Sequence, residues 1–199
     1  MKTIRLIAIL YGLLHGLDMV GQSSVETPGV TPTCEATFIT LGTGINSNYG
    51  IVGIGVDFPL VDKFQVAVSG GLGTWGFKSA GELRYFYAGC MQKGAAVAIG
   101  MSYSSGLPEM KTELETSADV TKSVTLELGA QTNCQASWYK SFAIREHHRF
   151  FFQLGYSFPV SGLSYKVKSG EALSDVSKTT IKMLSPGGIM IGTGFGFGF

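Results

Sequence analysis

The last thirteen residues of the chain, 187–199, constrain its fold more than any other stretch. Successive side chains of a β-strand point to opposite faces, so a strand here would have two very different surfaces. One face would carry Ile189, Ile191, Thr193, Phe195, Phe197 and Phe199, and the other Met190, Gly192, Gly194, Gly196 and Gly198. Large apolar side chains on one face and glycine on the other suit a membrane β-barrel, whose outer wall contacts lipid and whose interior is crowded.

The same alternation recurs along most of residues 36–199, with apolar side chains on one face and small or polar ones on the other. Charged residues make up 15 % of the chain, below the ~25 % usual for soluble proteins. Beyond residue 22 no apolar run approaches the roughly 18 residues that a membrane helix needs. The sequence therefore predicts an all-β fold, a closed antiparallel transmembrane β-barrel over residues 36–199.

The strand number is either eight or ten. Both ends of such a barrel lie on the periplasmic side, so even-numbered strands should end in short turns. Turns at 58–64 and 158–162 contain proline, and both follow even-numbered strands if the barrel has ten. This parity favours ten strands, at 36–46, 51–60, 64–76, 82–88, 95–104, 123–132, 136–144, 149–159, 163–168 and 187–199. In the eight-stranded alternative, 133–148 is a periplasmic connection and 160–186 is one outer loop.

The N-terminus has the pattern of a secretory signal peptide. Lys2 and Arg5 precede or border an apolar run at 6–14, and small Gly21 offers a cleavage position before Gln22. The predicted organisation is a signal peptide at 1–21, a flexible periplasmic lead-in at 22–35 and a barrel at 36–199.

The terminal strand, which ends on Phe199, resembles the C-terminal strand of Gram-negative outer-membrane β-barrels. This resemblance implies that the protein resides in the outer membrane of a Gram-negative bacterium after signal-peptide cleavage and contacts outer-membrane lipid. It also implies insertion by the outer-membrane assembly machinery, with Phe195, Phe197 and Phe199 as the insertion signal.

A net charge of +1 offers no basic field for nucleic acid, so that partner class is excluded.

Six charged residues are predicted to face the barrel interior. Charges of both signs in a narrow barrel should pair, because an unpaired buried charge is costly. A barrel of this size encloses little free space, which favours a closed plug over a lined pathway for a small polar solute. The predicted interior network consists of Asp57, Glu82, Arg84, Glu127, Lys166 and Lys168.

Three cysteines, Cys34, Cys90 and Cys134, fall before the first strand and in two turns that the topology makes periplasmic. An exported protein meets an oxidising compartment, so the sequence predicts one disulfide among the three, with the pairing open. Three unpaired thiols are the alternative. The cysteine spacing matches no metal site.

Residues 137–148 also contain the residue types of a hydrolase site. Glu146, His147 and His148 could form a Ser–His–Glu arrangement with Ser137 or Ser141. Adjacent histidines point to opposite faces of a strand, and nothing in the sequence brings these groups together. No catalytic residue, metal site or cofactor is therefore assigned.

Three functions follow from these features. The favoured one is a non-enzymatic barrel, either structural or a subunit or binding protein of an envelope complex, that acts through its loops or wall and contacts other envelope proteins. The alternatives are a narrow pore or transporter for small solutes and a lipid-modifying enzyme. A secreted β-sandwich is the alternative outside the membrane class.

Overall fold

The computed structural model describes residues 36–115, 121–144, 147–162, 165–169 and 174–199. These residues form a closed β-barrel, a separate three-stranded sheet and one helix. The strands are β1 (Phe38–Ile45), β2 (Val52–Val61), β3 (Phe64–Gly73), β4 (Gly76–Gly89), β5 (Gly94–Ser104), β6 (Leu107–Glu115), β7 (Thr121–Leu128), β8 (Gln131–Ile144), β9 (His148–Pro159), β10 (Tyr165–Ser169) and β11 (Gly188–Gly198), and the helix is α1 (Asp175–Leu184). The predicted signal peptide and lead-in lie outside the described residues.

Eight antiparallel strands form the barrel in the order β1-β11-β9-β8-β5-β4-β3-β2, and β2 pairs back onto β1. The closing pair is β1 with β11, from Phe38 opposite Gly198 to Ile45 opposite Ile191. The predicted closed antiparallel barrel is confirmed. Its C-terminal strand also alternates as predicted, since Ile191 is 53 % exposed on the outer wall whereas its neighbour Met190 is fully buried inside.

The preference for ten barrel strands was wrong, because two of the predicted strands belong to the second sheet. These are β7 and β10, predicted as 123–132 and 163–168, which pair with each other while β7 also pairs with β6. The apolar face of β7 is buried, with Leu126 packed in a cluster that includes Trp75 and Ile181. Alternation shows that one face of a strand is apolar, but not whether lipid or another part of the protein covers that face.

The sixth barrel strand is β8, which begins at Gln131 and includes the predicted strand 136–144. The eight-stranded alternative, with a periplasmic connection at 133–148, therefore also assigned this region wrongly. We call the end of the barrel where β1 begins and β11 ends the terminal end, and the opposite one the loop end. The connections β2–β3, β4–β5 and β8–β9 lie at the terminal end, and β1–β2, β3–β4, β5–β8 and β9–β11 lie at the loop end.

The second sheet and α1 form a unit at the loop end, which we call the loop subdomain (β6, β7, β10 and α1). The sheet has the order β10-β7-β6. The side chain of Ser174 caps α1 by accepting a hydrogen bond from the backbone N–H of Ser177. Trp75, from the β3–β4 connection of the barrel, joins the apolar core of this unit and donates its indole N–H to the Gly129 carbonyl at 2.9 Å. No helix in the described parts of the chain is long and apolar enough to cross a membrane.

Two positions on α1 test this packing. Ile181 is 3 % exposed in the apolar core and Val176 is 66 % exposed. We expect Ile181→Ala to destabilise the loop subdomain by about 2–5 kcal/mol, because it removes buried volume, and Val176→Ala to change its stability little. Limited proteolysis of the folded protein would measure the difference as faster cleavage within 105–187. Equal cleavage rates for the two variants would contradict the packing.

Candidate functional site

Four charged side chains meet inside the barrel, each from an inward-facing strand position. Asp57 lies on β2, Glu82 and Arg84 on β4, and Arg149 on β9. None of the four residues is more than 5 % exposed. We call this set the charged cluster.

Small residues on the neighbouring strands make room for these side chains. Glu82 lies between Ala67 of β3 and Gly100 of β5, and Arg84 lies opposite Ala98 of β5. A Cβ at position 100 would come within 2.6 Å of the Glu82 Cβ, too close for non-bonded atoms. The small inward residues of β3 and β5 therefore leave room for the side chains of Glu82 and Arg84.

Asp57 is the centre of the charged cluster. One of its oxygens, Oδ2, accepts a hydrogen bond from Arg84 Nη1 at 2.8 Å and another from Arg149 Nη2. Arg84 Nε also donates to Glu82 Oε1 at 2.5 Å. Two arginines and two carboxylates thus form one connected set, in which opposite charges compensate each other away from water.

Aromatic rings pack against both guanidinium groups. Arg84 Cζ lies 4.2 Å from the centre of the Tyr139 ring, and Arg149 Cζ lies 4.0 Å from the centre of the Phe38 ring. At this range the negative face of the ring attracts the cation. The rings also occupy space beside the ion pairs, so the cluster is part of a filled interior.

Both ends of the interior are filled by residues from connections. At the loop end the β1–β2 connection folds inward, so that Asn48 and Tyr49 are buried. Asn48 Oδ1 accepts a hydrogen bond from Gln135 Nε2 at 2.7 Å, and the Tyr49 hydroxyl donates to Thr40 Oγ1 at 3.1 Å. At the terminal end Met91 is fully buried, and its carbonyl accepts a hydrogen bond from Arg149 Nη1 at 2.6 Å.

The structure places only half of the predicted interior network inside the barrel. Asp57, Glu82 and Arg84 belong to the charged cluster, but Glu127, Lys166 and Lys168 lie on the loop subdomain, and their assignment to the interior was wrong. Lys168 Nζ lies 3.6 Å from Glu127 Oε2 in a pair whose side chains are 42 % and 40 % exposed. The error follows from counting β7 and β10 as barrel strands.

Arg149 is the member of the charged cluster that the sequence interpretation missed. The predicted strand 149–159 has Phe150 and Phe152 on its outer face, so period two places Arg149 inside with Phe151 and Gln153. The alternation of side chains along this strand therefore indicated an inward position for Arg149. The predicted network did not include Arg149, which stands at the first position of the predicted strand.

The cysteines lie at different ends of the barrel. Cys90 lies in the β4–β5 connection, in agreement with its predicted position in a turn. Its thiol is free and buried, and the thiol of Cys134 is free and exposed. Cys134 is not in a periplasmic turn but near the loop end of β8, opposite Met101 and Phe158. No disulfide joins these two, and pairing with Cys34, which lies outside the described residues, stays a prediction.

The candidate hydrolase residues do not come together in the described residues. His147 and His148 lie at the terminal end of the barrel, and the His148 ring packs on Phe197 at 5.5 Å between ring centres. Ser137 and Ser141 are buried inside the barrel, and Glu146 lies outside the described residues. Within the described ranges no three His, Cys, Asp or Glu side chains are grouped to hold a metal ion.

Comparison with solved structures finds proteins of similar structure. The chain is similar to the N-terminal β-barrel domain of Pseudomonas aeruginosa OprF, with a TM-score of 0.46 and 14 % sequence identity. The similarity covers 83 % of this chain and 98 % of that one. No protein-family model matches the sequence, and no curated protein matches it.

Two ion pairs, one buried and one exposed, test the energetic role of the charged cluster. We expect Arg149→Ala to lower the free energy of unfolding by about 3–5 kcal/mol, because it removes one of the two cations that compensate buried Asp57. Lys168→Ala breaks the exposed pair with Glu127 and should cost less than about 1 kcal/mol. Urea titration of the protein in detergent micelles measures both changes. A similar cost for the two variants would show that the cluster is not a main source of stability.

Proposed function

We propose that this chain is a non-enzymatic β-barrel of the Gram-negative outer membrane, and that it acts as a structural or binding component of the envelope. Its interior is a closed plug, and the loop subdomain is the part available to partners. The observation that carries this proposal is a distribution of side chains opposite to that of a soluble protein. Ion pairs are buried inside the barrel, and apolar side chains cover its outer wall.

Exposed apolar side chains occur on every barrel strand. Soluble monomers rarely expose a continuous apolar patch of more than a few hundred Å², whereas a membrane barrel needs an apolar band with aromatic residues at both edges. Exposed aromatics include Phe58, Phe64, Tyr85, Tyr87 and Phe142 near the terminal end, and Phe77, Tyr103, Tyr156 and Phe158 near the loop end. This distribution supports lipid as the surroundings of the wall.

The filled interior supports a plug over a pore. An ion crossing the barrel would have to pass Tyr49 and Asn48, then the charged cluster, then Met91, all of which are buried. The side chains of Tyr49, Asn48 and the charged cluster are held by hydrogen bonds to other strands. Passage would require several of these contacts to break together.

The loop subdomain supports a binding role. It has its own apolar core and capped helix, so it presents a defined surface rather than a set of independent loops. Binding residues commonly lie on segments that a rigid scaffold positions in this way. The insertion role of Phe195, Phe197 and Phe199 remains part of the proposal, and all three are exposed on the outer side of the barrel or at its end.

Cell fractionation and gel mobility test the location. We expect the protein in the outer-membrane fraction, with a band that shifts on boiling, because a closed sheet without free edges resists detergent denaturation until heated. An Ile99→Asp variant places a charge on the apolar wall and should reduce the amount of folded protein in that fraction. An unshifted band in the soluble periplasm would contradict the membrane proposal.

Conductance across a planar lipid bilayer tests the plug. We expect no discrete current steps from the wild-type protein. The variant Tyr49→Ala/Arg84→Ala/Met91→Ala/Arg149→Ala should conduct cations, because large side chains are removed at both ends and in the middle of the interior while Asp57 and Glu82 remain. The control Lys63→Ala/Lys93→Ala removes two positive charges from terminal-end turns and should not conduct. Steps from the wild-type protein would favour the alternative of a narrow pore.

A further inference from the structure

A cavity of about 120 Å³ lies at the loop end of the barrel, between the β1–β2 and β3–β4 connections. Asn46, Trp75, Lys78 and Pro186 are among the residues that line it. Glycines at 44, 50 and 73 also form part of the wall and contribute no side chain to fill the space. Since a water molecule takes about 30 Å³ in the liquid, the cavity has room for a small polar group.

Lys78 is the charged residue in the wall of this cavity. It faces inward from β4 and is 4 % exposed. Its ammonium group donates one hydrogen bond, to the Asn46 carbonyl at 2.7 Å, although an ammonium has three hydrogens to donate. No carboxylate in the described ranges lies within 4.0 Å of it.

The charge balance of the interior points to the same residue. Among the described residues, the charged side chains inside the barrel are Lys78, Arg84, Arg149, Asp57 and Glu82. The two arginines and the two carboxylates compensate one another in the charged cluster. One positive charge is left over, and it is on Lys78. A buried charge without a partner of opposite sign is costly, so a ligand that supplies this partner would bind favourably.

We propose that this cavity binds a single oxyanion group, a carboxylate or a phosphate, through the ammonium group of Lys78. Oxyanions accept charge-assisted hydrogen bonds of the kind that ammonium donates. Ile45, Ile51 and Trp75 also line the cavity, so a short apolar portion next to the anion fits its walls. Such a group could come from a soluble anion or from the headgroup of an anionic phospholipid.

The fluorescence of Trp75 provides a direct measurement. The chain has two tryptophans, and only Trp75 of the two lines the cavity. In a Trp138→Phe background, the full chain is folded in detergent micelles and titrated with sodium phosphate, then separately with sodium acetate, at constant ionic strength. A third titration uses phosphatidylcholine vesicles that contain the protein, with and without phosphatidylglycerol.

Three lysine variants provide the controls. Lys78→Met removes the charge with similar volume, and Lys78→Arg keeps the charge. Lys93→Met removes a charge from an exposed turn at the terminal end. Circular dichroism checks that each variant retains its β-structure. The two micelle titrations do not depend on an outer-membrane location, so they can fail or succeed independently of the proposed function.

We expect a saturable change in Trp75 fluorescence in the parent protein and in Lys93→Met. Lys78→Met should weaken the affinity about tenfold or more, since a hydrogen bond to a charged group is lost, and Lys78→Arg should retain much of it. A response to phosphate or acetate identifies a soluble anion, and a response to phosphatidylglycerol alone identifies a lipid headgroup. No saturable response to any of the three, or one that persists unchanged in Lys78→Met, would overturn the proposal.

Discussion

Closure of the sheet between β1 and β11 is the constraint on which the rest of the structure depends. An open sheet edge presents a row of unpaired backbone N–H and C=O groups, which is unfavourable in water and prohibitive in lipid. The register from Phe38–Gly198 to Ile45–Ile191 removes both edges at once. Because it joins the first and last barrel strands, no shorter piece of the described barrel has a complete sheet. Closure also brings the inward faces of the strands together, so the limited volume of the interior restricts which side chains fit there.

The same alternating pattern is used in two different ways in this chain. In the barrel the apolar face points outward, and the inward face holds Arg84 and Arg149 in pairs with carboxylates. In β7 the apolar face points inward, toward the packed core of the loop subdomain. The barrel places the ionic groups of the charged cluster where each finds a partner, whereas the loop subdomain has an apolar core like that of a soluble protein. Trp75 belongs to a barrel connection but packs in that second core, and so joins the two parts.

Much of the barrel could be predicted from its sequence, because side chains alternate along a strand and the sequence therefore shows which residues share a face. The closing role of the C-terminal strand and the inward positions of Asp57, Glu82 and Arg84 follow from that alternation. The strand count does not, since β7 and β10 alternate as regularly as the barrel strands, and which strand pairs with which depends on contacts distant in sequence. The residues that fill the loop end of the interior could not be predicted either, because the inward fold of Asn48 and Tyr49 depends on the shape of the space between the strands.

The inward fold of the β1–β2 connection restricts how this protein can be altered. Gly42 has no side chain where the Tyr49 ring lies against it, and Gly50 adopts a left-handed backbone with φ of 66°. A peptide inserted between Asn46 and Gly50 would displace side chains that fill the barrel, so this short connection is unsuitable for displaying a foreign epitope. The β9–β11 connection carries α1 outside the barrel and ends at Gly187. Additional residues there would lengthen the loop subdomain while the strands and their interior stay as they are.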